Sequence, residues 1–362
     1  MKVQKLYLIL TALSVTLISC SVGSSSSSGA ASIQYKTLNY TGALPPGGST
    51  GLTGIRQVGS TSNVYITGSY SANGQNNGTL YVGPILGGGT YYVYNYPSSS
   101  GATTAGANVY SADNGSGNNV LLVGSYTTTQ TGSSQNYGFL YNGPIPDNGT
   151  SWQTLTIPNS LANGQTVNNT IPHSIMGGIV VGNYATPSTA GNGFLYNINT
   201  GTYTAISYPE AGVRYTTAYG IWYNGGNSYT IVGGFSHETT GTLSFGFIVD
   251  YNSSTNVFSN WTQYTYNNQP AAISHFEGIT SDGKGGYNLA GTGAADGIHA
   301  AIVNVTRTLS GGFGFATWVN VMYPGSSSTT SDTVYQNYLL GVYQISGVSG
   351  LNGYVATVPV TW

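Results

Sequence analysis

One short strand-like phrase, aromatic at its first position and usually closing on Tyr-Pro or a close variant, recurs six times along the chain. It spans 35–40, 91–96, 152–157, 203–208, 261–266 and 318–323, opening on Tyr35, Tyr91, Trp152, Tyr203, Trp261 and Trp318. The intervals between these first residues are 56, 61, 51, 58 and 57. A period of that size holds four short strands and their turns, which is one blade of a β-propeller.

Two further phrases keep the same beat. An apolar run ends on Gly68, Gly124, Gly182, Gly233, Gly291 and Gly341, and its near-continuous apolar character suits strands buried on both faces. Some 8 to 14 residues later come 78–81, 138–141, 193–196, 246–249, 299–302 and 353–356, all but one opening on Gly and two reading Gly-Phe-Leu-Tyr. A weaker strand precedes the glycine phrase around Ile55, Val109, Ile175, Ile221, Ile279 and Val334, giving four strands per unit. The expected fold is therefore all-β: a six-bladed propeller with four antiparallel strands per blade. A two-sheet sandwich has no reason to repeat one set of phrases six times.

The order of phrases near the two ends predicts how the ring closes. The first phrase in the chain, within 33–40, is of the fourth-strand kind, and the last, from Gly353 onward, is of the third-strand kind. The N-terminal strand should complete the last blade beside the C-terminal one, covering an edge that would otherwise stay unpaired.

Charged residues make up only 4% of the chain, while Gly (54) and Tyr (31) abound. Such a composition raises the question of disorder, but 40% hydrophobic and 12% aromatic residues, spread in short runs, suffice for a core. The first residues read as an export signal, with Lys2 and Lys5 ahead of an apolar run over 6–18, too short to span a bilayer. The run closes on Leu17, Ile18, Ser19 and Cys20, the chain's single cysteine, so an internal disulfide is impossible. That tetrapeptide resembles the bacterial lipobox, and the resemblance implies a lipidated Cys20. The rival reading is a plain signal with an incidental cysteine. The expected organisation is 1–19 signal peptide, 20–32 Ser/Gly-rich tether and 33–362 propeller. Ser21, rather than Asp, after the cysteine resembles the pattern of outer-membrane lipoproteins, which implies the cell envelope and a membrane held through lipid alone. Without the signal, five basic and nine acidic residues leave a formal charge of −4, with no basic patch for nucleic acid.

The Gly-rich apolar strand followed by an aromatic strand is similar to the repeats of the extracellular family with a "HAF" signature, over residues 33–362. The signature itself stands only as His299-Ala300-Ala301, with Gly-Phe-Leu-Tyr or another Gly-led phrase elsewhere. The resemblance implies a propeller and an exported location, and it carries no catalytic residue across.

Chemistry in a propeller gathers on the innermost strands and at the channel mouth. The charged and basic residues expected there are Arg56, His173, Arg214, His275 and Glu277, candidates for binding an anionic or sugar ligand. Polar strand ends that merely hydrate a channel give the same pattern. Glycoside hydrolysis needs two carboxylates, and of nine acids only Glu277 falls clearly on a predicted inner strand. An arginine triad would have to use Arg56, Arg214 and Arg307, and Arg307 follows a third strand. The four histidines, His173, His237, His275 and His299, lie in separate repeats, and the run from Asp113 reads as a hairpin turn rather than a calcium loop. Neither metal nor cofactor is expected. The scarcity of acids and bases favours a monomeric surface-displayed module that binds carbohydrate or another surface protein; the alternative is an extracellular polysaccharide hydrolase or lyase. Convergence of Arg56, Arg214, His275 and Glu277 in a deep pocket would favour the enzyme.

Overall fold

Strand β1 (Gln34–Thr37) opens a computed structural model that describes residues 32–362, apart from 43–46, 99–102, 130–134, 238–244, 270–272, 295–297 and 361. The expected signal, Cys20 and all but the end of the tether lie outside the described residues.

Each repeat folds as an antiparallel meander, numbered from the channel outward. Blade one is β2 (Ser49–Gln57), β3 (Val64–Ala72), β4 (Gln75–Gly83) and β5 (Thr90–Tyr94). Blade two is β6 (Thr104–Asn114), β7 (Val120–Thr128), β8 (Tyr137–Gly143) and β9 (Trp152–Leu155). Blade three is β10 (Asn169–Met176), β11 (Ile179–Ala185), β12 (Asn192–Asn197) and β13 (Thr202–Ile206). Blade four is β14 (Tyr215–Gly225), β15 (Ser228–Ser236), β16 (Phe245–Asn252) and β17 (Val257–Tyr264). Blade five is β18 (Ile273–Ser281), β19 (Tyr287–Ala294), β20 (Ile298–Arg307) and β21 (Phe313–Val321). In blade six the inner strand is split into β22 (Ser326–Thr329) and β23 (Thr333–Tyr335), followed by β24 (Tyr338–Ile345) and β25 (Asn352–Thr357).

The ring closes as the order of phrases requires. β1 pairs with β25, Gln34 opposite Thr357 and Thr37 opposite Tyr354, and the Leu38 N–H donates to the Gly353 carbonyl at 2.9 Å. Leu38 is buried with Leu52, Ile55 and Val355, so the seam between the last blade and the first is apolar as well as hydrogen-bonded.

The recurring phrases have separate physical reasons. The aromatic that ends a fourth strand crosses to the next blade and stacks two residues beyond that blade's phrase glycine. Tyr40 lies on Tyr70 (4.1 Å between ring centroids), Tyr96 on Tyr126 (3.9 Å), Tyr208 on Phe235 (3.8 Å) and Tyr323 on Tyr343 (3.6 Å), all nearly parallel. Tyr266 reaches the same place in blade five, where Gly293 leaves the room; a Cβ there would stand 2.2 Å from its ring. Each such pair contributes about 0.5–1.5 kcal/mol beyond its burial. Between the blades lie fully buried Phe139, Phe194, Phe247, Leu122, Ile231 and Leu289, the product of the apolar runs.

The phrase glycine answers a different need. On the inner strand opposite it the register slips by one residue in blades one to five, between Leu52 and Gly54, Val109 and Ser111, Pro172 and Ser174, Ala218 and Gly220, and Phe276 and Gly278. In the split strand of blade six, Thr330 and Asp332 bond to Val342 and Leu340, and the extra residue is Asp332. The backbone bulged in this way pushes a carbonyl against the glycine. A Cβ on Gly68, Gly124, Gly182, Gly233 or Gly341 would stand 1.9–2.3 Å from the carbonyl oxygen of Gly51, Asn108, Ile171, Thr217 or Thr330. A bulge re-aims one side chain, and here it does so six times around one axis.

Candidate functional site

The six bulged residues are Thr53, Tyr110, His173, Tyr219, Glu277 and Asp332, one from each blade in order. All are half-buried, between neighbours that are mostly buried. The first five line a central cavity together with Arg56, Ser111, Ser174 and Thr333. The site is thus built by a backbone irregularity repeated in every unit, and each blade supplies one side chain at the same place.

Neighbouring blades join these side chains into a polar arc. The Tyr110 and His173 rings lie 5.3 Å apart, His173 and Tyr219 4.4 Å, and Tyr219 and His275 5.8 Å. His275 Nε2 then lies 2.6 Å from Glu277 Oε1. His173 Nε2 is held by Asn183 Oδ1 at 2.7 Å. Burial keeps the His173 imidazole below its ordinary range, against the opposing pull of Glu277 and the Asn183 contact. Burial, and then the Glu277 charge, push the Tyr219 hydroxyl upward. The Asp332 carboxyl is raised well above the usual carboxylate range, first by burial and next by the charge of Glu277.

Arg56 takes a different position, three residues beyond the bulge on β2. Its Nη2 donates to the Ile175 carbonyl at 3.2 Å, and its guanidinium lies 5.8 Å from the centroid of the Trp222 ring. Burial lowers its affinity for its proton, opposed by the charge of Asp113. Its Nε is buried without a hydrogen-bond partner among the described residues. Asp113 is itself buried and accepts from the backbone N–H of Gly177 at 2.7 Å and of Asn114 at 2.9 Å. The run that begins at Asp113 is a hairpin turn, closed by Gly115 and Asn119 bonding backbone to backbone.

Of the five residues picked from the sequence, His173, His275, Glu277 and Arg56 share the channel, whereas Arg214 stands apart. It precedes β14, is exposed, and its N–H bonds to the Ser236 carbonyl at 2.8 Å. Arg307 pairs with Asp250 of the neighbouring blade, which rules out an arginine triad around the channel. Tyr110, Tyr219 and Asp332 belong to the same arc and were not singled out. Asp332 lies nine residues before Gly341, as His173 lies nine before Gly182, whereas Glu277 lies fourteen before Gly291. Among the described residues, no three His, Cys, Asp or Glu side chains gather as a metal site would need.

The cavity enclosed by this arc measures about 20 Å³, room for about one water molecule. Its lining sets Glu277, His173 and Arg56 beside Tyr110 and Tyr219, and its space is that of a single water.

No protein-family model matches the chain, and the search of curated proteins returned no relative. Among solved structures it is similar to a luciferin-regenerating enzyme, at 12% identity over 90% of this chain and 96% of the other, with a TM-score of 0.48. It is also similar to an exo-β-1,3-galactanase from Clostridium thermocellum (9% identity, 88% and 68% covered, TM-score 0.41) and to one from Phanerochaete chrysosporium (12%, 81% and 65%, TM-score 0.37). At these identities nothing about activity carries over.

Proposed function

We propose that this chain is a binding module of the bacterial cell envelope, a rigid propeller tethered through lipid on Cys20, that captures carbohydrate or another surface protein. The observation that carries the reading is the size of the channel cavity. Catalysis at Glu277 would need a substrate bond within hydrogen-bond reach of its carboxyl, and the cavity it lines, about 20 Å³, admits a water only. The low charge and the many tyrosines support it as well, since Tyr offers flat apolar area and a hydroxyl at small entropic cost.

A second reading has one specific observation in its favour. The charge of Glu277 acts on Asp332, whose carboxyl burial and that charge raise above the usual carboxylate range, and a pair of acids of which one is raised is what a polysaccharide hydrolase uses. Both readings answer to one experiment. The full chain in detergent is applied to an array of glycans and envelope proteins, and every captured glycan is analysed by mass spectrometry for cleavage. Under the binding reading Glu277→Gln leaves capture within twofold and no product forms. Glycan cleavage that Glu277→Gln abolishes would sink the binding reading. Membrane anchoring is tested separately: Cys20→Ser should move the protein from the membrane fraction to the soluble one, and a variant that stays membrane-bound would overturn the lipid tether.

A further inference from the structure

A second cavity, of about 440 Å³, opens where the inner strands β2, β18 and β23 end. That volume lies in the range of small-ligand sites. Its walls come from distant parts of the chain: Gln57, Trp222, Asp282, Asn288, Tyr335 and Trp362.

Its polar groups are fixed by one another. Gln336 Nε2 donates to the Tyr335 hydroxyl at 3.4 Å, and that hydroxyl donates to Gln57 Oε1 at 3.1 Å. Asn288 Nδ2 donates to the Gln336 carbonyl at 2.8 Å, and Trp362 Nε1 to Asn288 Oδ1 at 2.9 Å. Gln336 adopts a φ of 54°, the left-handed region that suits glycine. A non-glycine residue held there is strained and persists where its surroundings fix it, often beside a binding site.

Among the described residues the three aromatic rings have no ring partner. Trp152, Trp261 and Trp318 are each packed among other rings. By contrast Trp222, Tyr335 and Trp362 make no aromatic ring contact among the described residues, and all three are half-buried at the cavity. The charges at its edge are already engaged. The Asp282 carboxylate accepts from the N–H groups of Lys284 and Gly286 at 2.7 and 2.9 Å and from Asn304 Nδ2 at 3.2 Å, and the Lys284 ammonium is taken by the Trp362 carbonyl. Flat rings suit the C–H face of a pyranose, fixed amides suit its hydroxyls, and among the described residues no unengaged charge lines the cavity, which disfavours phosphate or carboxylate.

We infer that this cavity is the ligand site of the binding module and that its ligand is a neutral saccharide, one or two hexopyranose units stacked on Trp222, Tyr335 and Trp362. The inference rests on the binding-module reading and assigns that reading its site and its ligand class. The channel arc then serves as the rigid hub of the ring and contacts no ligand.

The test titrates the full chain in detergent with short neutral gluco-, galacto- and manno-oligosaccharides, read by tryptophan fluorescence and by calorimetry. At least one of them should bind saturably, and Tyr335→Ala and Trp362→Ala should each weaken it tenfold or more. Trp222→Phe, which keeps packing against Arg56, should weaken it less than Trp362→Ala does. Phe315→Ala removes an exposed ring on β21, far along the outer edge of blade five, and should leave the affinity unchanged. Circular dichroism melts of each variant separate lost affinity from lost fold. Saturable binding that neither Tyr335→Ala nor Trp362→Ala weakens would overturn the site while leaving the module reading intact. Capture of proteins with no response to any neutral oligosaccharide would overturn the ligand class. Release of shortened oligosaccharides would overturn the module reading itself.

Discussion

Gly233 lies so close to the backbone of Thr217 that a Cβ on it would stand 1.9 Å from the Thr217 carbonyl oxygen. The contact is the footprint of the bulge that turns Tyr219 toward the channel. Gly233→Ala should therefore force either the carbonyl or the bulge to move, a cost of roughly 1–3 kcal/mol, as for overpacked cores. A lowered thermal midpoint is expected, together with a change in near-ultraviolet circular dichroism as the Tyr219 ring shifts. An unchanged midpoint would mean that the bulge and the glycine are unrelated.

Arg307 grips Asp250 across the boundary between blades five and four, its Nη1 and Nη2 each 2.6 Å from a carboxylate oxygen. The guanidinium also lies 4.1 Å from the Phe313 ring centroid, and Nη2 reaches the Tyr287 hydroxyl at 3.0 Å. Burial opposes the Arg307 charge, but the bonds from Asp250 and Tyr287 more than offset it, so its proton is held more firmly than usual. Asp250→Asn removes the charge and leaves the guanidinium half-enclosed. The expected loss is about 2–3 kcal/mol, the range for a charged hydrogen bond whose partner stays behind. Urea unfolding at neutral pH measures it, and Asp250→Asn combined with Arg307→Met should recover part of the loss.

How much of this was legible in the sequence differs from residue to residue. The glycine phrase and the closing aromatic were readable because each marks a steric requirement repeated in most blades: Gly233 under a carbonyl, Tyr208 across to Phe235. Closure by β1 was readable from the order of phrases alone. The bulge was not, since a one-residue slip leaves no compositional mark, and hairpins of unequal length hide its position. Asp332 was missed for that reason: its strand is split into β22 and β23, and it lies nine residues before its glycine where Glu277 lies fourteen before its own. Arg214 was placed beside the channel by adjacency to β14, yet its backbone is tied to Ser236 and its side chain is exposed. The cavity around Trp222, Tyr335 and Trp362 joins three segments remote in sequence, which no single repeat could announce.

Asp332 makes stability depend on pH in a definite direction. Its carboxyl is raised in the folded chain by burial and by Glu277, so the unfolded chain gives up this proton first. Between the ordinary carboxylate pKa, near 4, and the raised folded value, stability falls as pH rises, and the cost is present in full above the folded value. Asp332→Asn keeps the shape and removes the ionisation. The variant should match the wild type near pH 4 and exceed it in unfolding free energy at pH 8, with a flatter profile between. A variant less stable than the wild type at pH 8 would mean that the charged form of Asp332 is held favourably and that the direction is reversed.

The seam between β1 and β25 carries the closure of the whole ring, and Leu38 is its apolar lock. Its side chain, 6% exposed, lies among Leu52, Ile55 and Val355, which belong to the first and last blades. Beside it the Leu38 N–H and the Thr37 hydroxyl tie the strand to Gly353, Tyr323 and Tyr343. Leu38→Ala removes three buried carbons at a boundary between two sheets, at a cost of about 2–5 kcal/mol if the site collapses poorly. Because the lost contacts lie at one seam, opening should begin there. Hydrogen exchange should quicken first along β1 and β25 and only later in blades two to four. Removing 33–40 altogether should leave β25 as a bare edge and produce concentration-dependent self-association, visible by light scattering. If Leu38→Ala raises exchange evenly in all six blades, the ring opens as a single cooperative unit and β1 is no more a latch than any other strand.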